Sequence, residues 1–226
     1  GEYPSSHLDG SGLCHIDLAC QQALSAGALA KMYTVSGKRE KADFYNGEHK
    51  RICDLINKYH WNGKTGFYYD FFSRENAEDR VKLLPVKTVA AAWTLLCGAA
   101  KGERFERTLG HFLNPDEFNT LMPFASLSRD DLNYDPKGGY WLGGVWPPTD
   151  YVLIKAMADN GYIREANEAA KRVLNGAYSV FSNSEYGGIW EVYAPEEYKP
   201  ATIENGSLCK PDFVGWGGLI PITMLI

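Results

Sequence analysis

The sequence predicts an all-α protein, a toroid of helical hairpins, and three observations carry that expectation. Stretches with helical spacing come in pairs joined by short links. Two long segments, about 114–146 and about 182–213, separate the later helices; they are rich in Gly and aromatic residues and hold no sustained period. Connections of that length in a compact domain are usually functional. No period of 20–50 residues repeats, which sets aside a solenoid of identical units. A plain helical bundle accounts for the helices but gives the long segments no role, whereas a toroid gathers them on one face.

Residues 1–14 are polar and Gly/Ser-rich, from Ser5-Ser6-His7-Leu8-Asp9 to Gly12, and read as loop. From about His15 to Val35, Ile16, Ala19, Cys20, Ala23, Ala26, Ala30 and Tyr33 recur at three- and four-residue steps. So many alanines predict a helix packed closely on its neighbours, and Gly37 stops it as a C-cap. A second helix, about Arg39 to Tyr59, places Phe44, Ile52, Leu55 and Ile56 on one face. Asn62-Gly63 and Thr65-Gly66 mark turns, and the aromatic run Phe67 to Phe72 suits a short strand. Asp70 sits inside that run, and a half-buried carboxylate needs a partner. A backbone turn is the first expectation for it and a ligand hydroxyl the second.

Pro85 opens a third helix, Val86 to Ala100, apolar on several sides. A shorter amphipathic one follows from Glu103 to Leu113. After Pro147-Pro148 a helix runs to about Asn160, stopped by Gly161. Another spans Ile163 to Phe181, with Ala166, Ala169, Ala170, Val173, Leu174 and Ala177 on its apolar face. The stretch Gly215 to Ile226 reads as the first turns of an apolar helix.

Composition narrows the function classes. With 45% hydrophobic and 23% charged residues, the 226-residue chain has the makeup of a folded globular protein. A formal charge of −5 and no basic run argue against nucleic acid or an anionic membrane as a main partner. There is no apolar run of membrane length. Five cysteines, odd in number and scattered without CxxC spacing, read as buried hydrophobes or free thiols. The histidines lack zinc-ligand spacing, and no Gly-x-Ser-x-Gly elbow, phosphate loop or dinucleotide fingerprint occurs. No metal or cofactor is therefore expected. The first residues, Gly1-Glu2-Tyr3-Pro4, read as the middle of a longer chain, which leaves the compartment undetermined.

Two segments are candidates for chemistry. In Gly187-Gly188-Ile189-Trp190-Glu191-Val192-Tyr193-Ala194-Pro195, a carboxylate stands between two large aromatics where neither helix nor strand runs far. Trp and Tyr offer apolar faces to a sugar ring and a polar handle to its hydroxyls, and a carboxylate beside them suits a general base. Taken alone, this is more readily a surface turn with a solvated Glu. In Gly138-Gly139-Tyr140-Trp141-Leu142-Gly143-Gly144-Val145-Trp146-Pro147-Pro148, glycines among aromatics let backbone approach whatever the rings contact.

Together these segments resemble inverting glycosidases with an α/α toroid: the trehalases, glycoside hydrolase family 63 and their mannosylglycerate-hydrolase relatives. Tyr140-Trp141-Leu142-Gly143-Gly144-Val145-Trp146 is similar to the Tyr-Trp-Arg-Gly-Pro-Val-Trp signature of that group. Trp190-Glu191-Val192-Tyr193-Ala194-Pro195 resembles its Glu-x-Tyr-(Asn/Asp)-Pro segment, whose Glu is the catalytic base. Phe213 to Leu219 resembles its Gly-Trp-(Ser/Thr)-x-Gly entry, and Asn62-Gly63 through Asp70 its Asp-x-x-x-Gly-x-Tyr-x-Asp stretch. The resemblance implies a six-hairpin glycosidase type of toroid, needing about twice the helices counted here. Residues 1–226 would then form a single partial catalytic domain, its C-terminal half to two-thirds.

The resemblance also implies Glu191 as base and a sugar site lined by Tyr140, Trp141, Trp146, Trp190, Tyr193 and Trp216, with Asp70 on a hydroxyl. The implied partner is a carbohydrate, together with the missing N-terminal half or a second chain. Two departures stand out. Leu142 replaces an Arg that contacts substrate or base. The general acid belongs in a Ser-Gly-x-Asp motif upstream of a segment like His15-Ile16-Asp17-Leu18-Ala19, and Asp9 is a poor substitute for it, more readily a turn residue. Inverting hydrolysis needs both carboxyl groups. The expectation is thus a glycosidase, with an inactive carbohydrate-binding module or a helical scaffold as the alternatives.

Overall fold

The computed structural model describes residues 12–73, 81–203 and 205–225. Three helical hairpins follow one another: α1 (Ile16–Val35) with α2 (Arg39–Tyr59), α3 (Ala92–Leu96) with α4 (Glu103–Leu113), and α5 (Pro147–Asp159) with α6 (Ile163–Phe181). The first member of each pair packs against the next such member, α1 on α3 and α3 on α5. Two short helices, α7 (Val214–Gly217) and α8 (Leu219–Ile222), extend that inner row, with α8 against both α5 and α6. Helices α2, α4 and α6 form the outer layer of the toroid. Alanines explain the closeness of the first hairpin: Ala23, Ala26 and Ala30 of α1 and Ala42 of α2 are all buried.

Inner-to-outer connections are tight turns, such as 36–38 and 160–162, while every outer-to-inner connection is long. The long ones gather at the N-terminal ends of α1, α3 and α5. The structure thus bears out the long-loop face that the sequence predicts, and five helices lie within a residue or two of their expected spans. Gly37, at φ +72°, ends α1 in the left-handed conformation expected of it.

Four expectations need correction. The predicted helix Val86–Ala100 is helical only from Val89, as a 3₁₀ turn over Val89–Ala91 and then α3. Before it, backbone is spent on tertiary pairing: Val89 N–H donates to Ser126 O at 2.9 Å and Ser128 N–H to Lys87 O at 3.1 Å. Propensity yields to those bonds. The aromatic run is not one strand. Trp61–Asn62 (β2) pairs with Phe67–Tyr68 (β3), while Phe71–Ser73 (β4) lies between Leu13–Cys14 (β1) and Val81–Leu83 (β5), all antiparallel. Leu13 and Cys14 are therefore strand, not loop; Asp9 lies outside the described residues. On α2, Ile56 is buried, but Phe44 is 62% exposed and packs edge-on against Tyr45.

The two long segments are not independent loops. Val145 and Tyr193 exchange both backbone hydrogen bonds, at 2.9 and 3.1 Å, and further bridges join Ala125 to Val145 and Tyr193 to Pro200. A small irregular antiparallel array results, and it carries both candidate segments side by side.

Candidate active site

The turn Tyr140–Leu142 sets the geometry. Gly138 and Gly144 let backbone close upon it: a Cβ on Gly138 would stand 2.5 Å from Ala201 Cβ, and one on Gly144 2.6 Å from Val192 Cγ1. Tyr140 itself is left-handed, at φ 61°. A non-glycine residue held there costs about 1–3 kcal/mol, and such strain gathers at functional sites. Asp212, at φ 53°, is the other such residue among those described.

Two cavities flank the turn. One, of about 600 Å³, is lined by Tyr140, Glu191, Asn205, Leu208, Lys210 and Pro211 among others. The strained Tyr140 is part of its wall, and Asp212 follows the wall residue Pro211 in the chain. The Glu191 carboxylate makes no hydrogen bond or ion pair among the described residues, and Glu191 is part of the cavity wall. Its backbone is held on both sides: Glu191 N–H donates to Lys210 O at 3.0 Å, and Trp216 Nε1–H donates to Glu191 O at 2.9 Å.

The second cavity, of about 260 Å³, lies where the N-terminal ends of α1, α3 and α5 converge. His15, Asp17, Gln21, Asp70, Trp93 and Trp141 line it. Asp70 is 6% exposed, and both its oxygens are engaged. Oδ1 accepts the Ile16 N–H at 2.7 Å, capping α1, and Oδ2 lies 3.3 Å from His15 Nδ1. Burial pushes this carboxyl up to about 6 and pulls the His15 imidazole down. At pH 7 the pair is a carboxylate beside a neutral ring, whose proton the geometry assigns to Nδ1. The backbone role expected of Asp70 is the one observed.

The remaining aromatic candidates form one row of rings behind the cavities. Trp141 stacks on Trp146 at 4.0 Å, Tyr140 meets Trp146 edge-on at 4.8 Å, and Trp216 packs against Trp146 at 5.9 Å and Phe213 at 4.5 Å. Trp146, Trp190 and Tyr193 are buried. The Tyr193 hydroxyl accepts the Trp190 N–H at 3.2 Å, and Trp190 Nε1–H donates to Gly187 O at 3.1 Å. The structure therefore brings Tyr140 and Glu191 into one cavity and Trp141 and Asp70 into the other. It places Trp146, Trp190 and Tyr193 as the packing beneath, and Trp216 beneath Glu191.

Several residues escaped the sequence reading. His15 and Asp17 open α1 at the second cavity; their place at a helix start, next to the segment that resembled a known motif, was the available signal. Asp150, fully buried in the first turn of α5, accepts the Phe124 N–H at 3.2 Å and so ties down the loop that pairs with Val145. Burial holds its carboxyl far above the usual carboxylate range. Among the described residues no group of three or more His, Cys, Asp or Glu side chains is arranged to hold a metal ion. No helix among them is long and apolar enough to cross a membrane.

Comparison with known proteins places this geometry. A probable mannosyl-oligosaccharide glucosidase of Schizosaccharomyces pombe is 24% identical over 97% of this chain and 27% of its own length. An uncharacterized protein of Borreliella burgdorferi is also 24% identical, over 93% of this chain and 44% of its own. Among solved structures, a family 63 mannosylglycerate hydrolase from Thermus thermophilus superposes with a TM-score of 0.71 at 15% identity, covering 95% of this chain and 45% of that one. A neutral trehalase from Saccharomyces cerevisiae gives 0.72 at 17% identity, covering 95% and 38%. These likenesses establish the toroid fold, and the chain spans less than half the length of each of these proteins. Residues 8–207 match the model of the mannosylglycerate hydrolase MGH1-like glycoside hydrolase domain, and the chain belongs to that family.

Proposed function

We propose that the protein carrying this chain hydrolyses a glycosidic bond with inversion, and that Glu191 is the general base that activates the attacking water. The observation that carries this reading is Glu191 itself: its carboxylate has no side-chain partner among the described residues, and it lines a cavity of about 600 Å³ together with the strained Tyr140. Family membership supports the same chemistry. Inversion requires a carboxylic acid on the opposite side of the bond, about 6.5–9.5 Å from the base. The reading assigns that role to the Ser-Gly-x-Asp motif that the family carries upstream of a segment like His15–Ala19, outside the described residues.

The substrate in this reading is a small glycoside or oligosaccharide with a glucosyl or mannosyl unit, as the names of the relatives indicate, in α linkage as the resemblance implies. Tyr140 and Trp141 present the faces that bracket it, on either side of the turn. Asp70, with Trp141 in the neighbouring cavity, offers an oxygen to a hydroxyl of a substrate that extends across the turn, and Trp146, Trp190, Tyr193 and Trp216 hold the aromatic floor. Glu191→Gln in the intact protein tests the assignment: hydrolysis should vanish while calorimetry still detects the sugar. Unchanged turnover would remove Glu191 from the role. One observation favours a second reading, an inactive carbohydrate-binding module: Leu142 stands where the resemblance calls for Arg. Sugar binding without turnover in the unmutated protein selects that reading.

A further inference from the structure

Resting on the reading of Glu191 as base, we propose that Trp216 is its positioning residue, acting through the backbone rather than through the sugar. The segment 209–217 lies along 189–192 and is fastened to it at successive points. Phe213 N–H donates to Ile189 O at 2.8 Å, Glu191 N–H to Lys210 O at 3.0 Å, and the Cys209 thiol to Val192 O at 3.1 Å. The Trp216 indole N–H closes the series on Glu191 O at 2.9 Å. Glu191 is thus the residue whose N–H and C=O are both held by this one segment. Any shift of the segment is a shift of the base.

The donor is itself fixed. Its ring is clamped between Trp146 and Phe213, and a Cβ on the next residue, Gly217, would collide with Ile189. Just beyond, α8 packs on α5 and α6, which ties the brace to the helical scaffold. A Trp N–H withdrawn from water normally finds a partner, and the half-buried Trp216 N–H has been given the carbonyl of Glu191, a carboxylate residue lining the larger cavity. The same segment supplies Lys210 and Pro211 to the cavity wall. Filling the cavity therefore bears directly on the strand of contacts that sets the base. A carboxylate that must meet a water within a few tenths of an ångström is sensitive to such support, since a displacement of about 1 Å costs about 100-fold in rate.

The test removes the N–H and keeps the ring. In the intact protein, Trp216 is replaced by benzothienylalanine, an indole isostere with sulfur in place of N–H, and in parallel by Phe. The expected result is a fall of about 10- to 100-fold in kcat with KM within about twofold, because ground-state sugar contacts are untouched. Phe213→Leu loosens the same ring contact and leaves the N–H in place; its kcat should fall less than that of the benzothienylalanine protein, and an equal or larger fall would show that ring packing, not the N–H, sets the base. Full kcat in the benzothienylalanine protein overturns the inference, as does a loss confined to KM. Glu191→Gln separates the two layers. If that variant is dead and the benzothienylalanine protein fully active, the brace alone is wrong; if Glu191→Gln still turns over, the base assignment falls and takes the brace with it.

Discussion

The two cavities on either side of Tyr140–Leu142 hold carboxylates with opposite fates. Asp70 is deeply buried and fully employed, one oxygen capping α1 and the other beside His15. Glu191 has its backbone pinned and its carboxylate unengaged among the described residues. A perturbed carboxyl in a cavity is a candidate for catalysis on electrostatic grounds, and Asp70 meets that criterion. The comparison teaches that what distinguishes the two carboxylates is whether the fold already uses their oxygens. A group whose hydrogen-bonding capacity is spent on the fold serves the fold; a group whose main chain is fixed while its acid oxygens remain open is prepared for a ligand.

Exchanging the two carboxylates one at a time breaks this contrast if it is wrong. The largest effect belongs to Glu191→Gln, which removes the proposed general base and should lower kcat by about 10²–10⁴-fold with little change in melting temperature. Asp70→Ala should do the reverse. It strands the Ile16 N–H and removes the carboxylate beside His15, and is expected to cost about 1–3 kcal/mol of stability, read as a lowered denaturant midpoint, with turnover per folded molecule within about tenfold. A large rise in KM at preserved stability would instead make Asp70 a sugar contact. Gly144→Ala sharpens the geometry between the cavities. Its new methyl meets Tyr140 O and Val192 Cγ1, so a loss of about 1–3 kcal/mol is expected, together with weaker sugar binding.

The remaining effect is electrostatic and appears only as a change with pH. Because the folded pKa of Asp70 is raised to about 6, the native state holds a proton that the unfolded chain has already released above its ordinary value near 3.8. Stability from this group is therefore greatest below about pH 4 and falls as pH rises to 6. His15, lowered by burial, acts in the opposite sense just below its ordinary 6.5. Comparing the protein with Asp70→Asn isolates the carboxyl. The stability advantage of the unmutated protein should shrink by about 2–3 kcal/mol or less between pH 4 and 6. A difference that stays flat across that range contradicts the burial-driven shift.

Much of the architecture was legible beforehand because helices announce themselves locally. The three- and four-residue spacing of Ile16, Cys20, Ala23 and Ala30 and of Ala166, Ala170, Val173 and Ala177 is fixed by helix geometry, whatever lies opposite. The failures came where backbone bonds were claimed by distant partners. Val86–Thr88 has the composition of a helix, yet its neighbours Lys87 and Val89 bond to Ser128 and Ser126. Phe44 matches the apolar stripe of α2 and still faces solvent.

At the candidate site the division is the same. Residue types and their order in Tyr140–Trp146 and Trp190–Pro195 determined the resemblance and named Glu191, because chemistry resides in side-chain identity. Sequence likewise determined that the long, Gly-rich connections would share one face, since short links between paired helices leave no other place for them. Only the tertiary structure decided that Val145 and Tyr193 join the two connections, that Tyr193 and Trp146 turn inward, and that Asp70 is spent on capping α1. It alone put the Trp216 indole on the Glu191 carbonyl. Those outcomes depend on pairing between segments far apart in the chain, and the pairing is set by which buried N–H and C=O groups must be satisfied once the helices have packed.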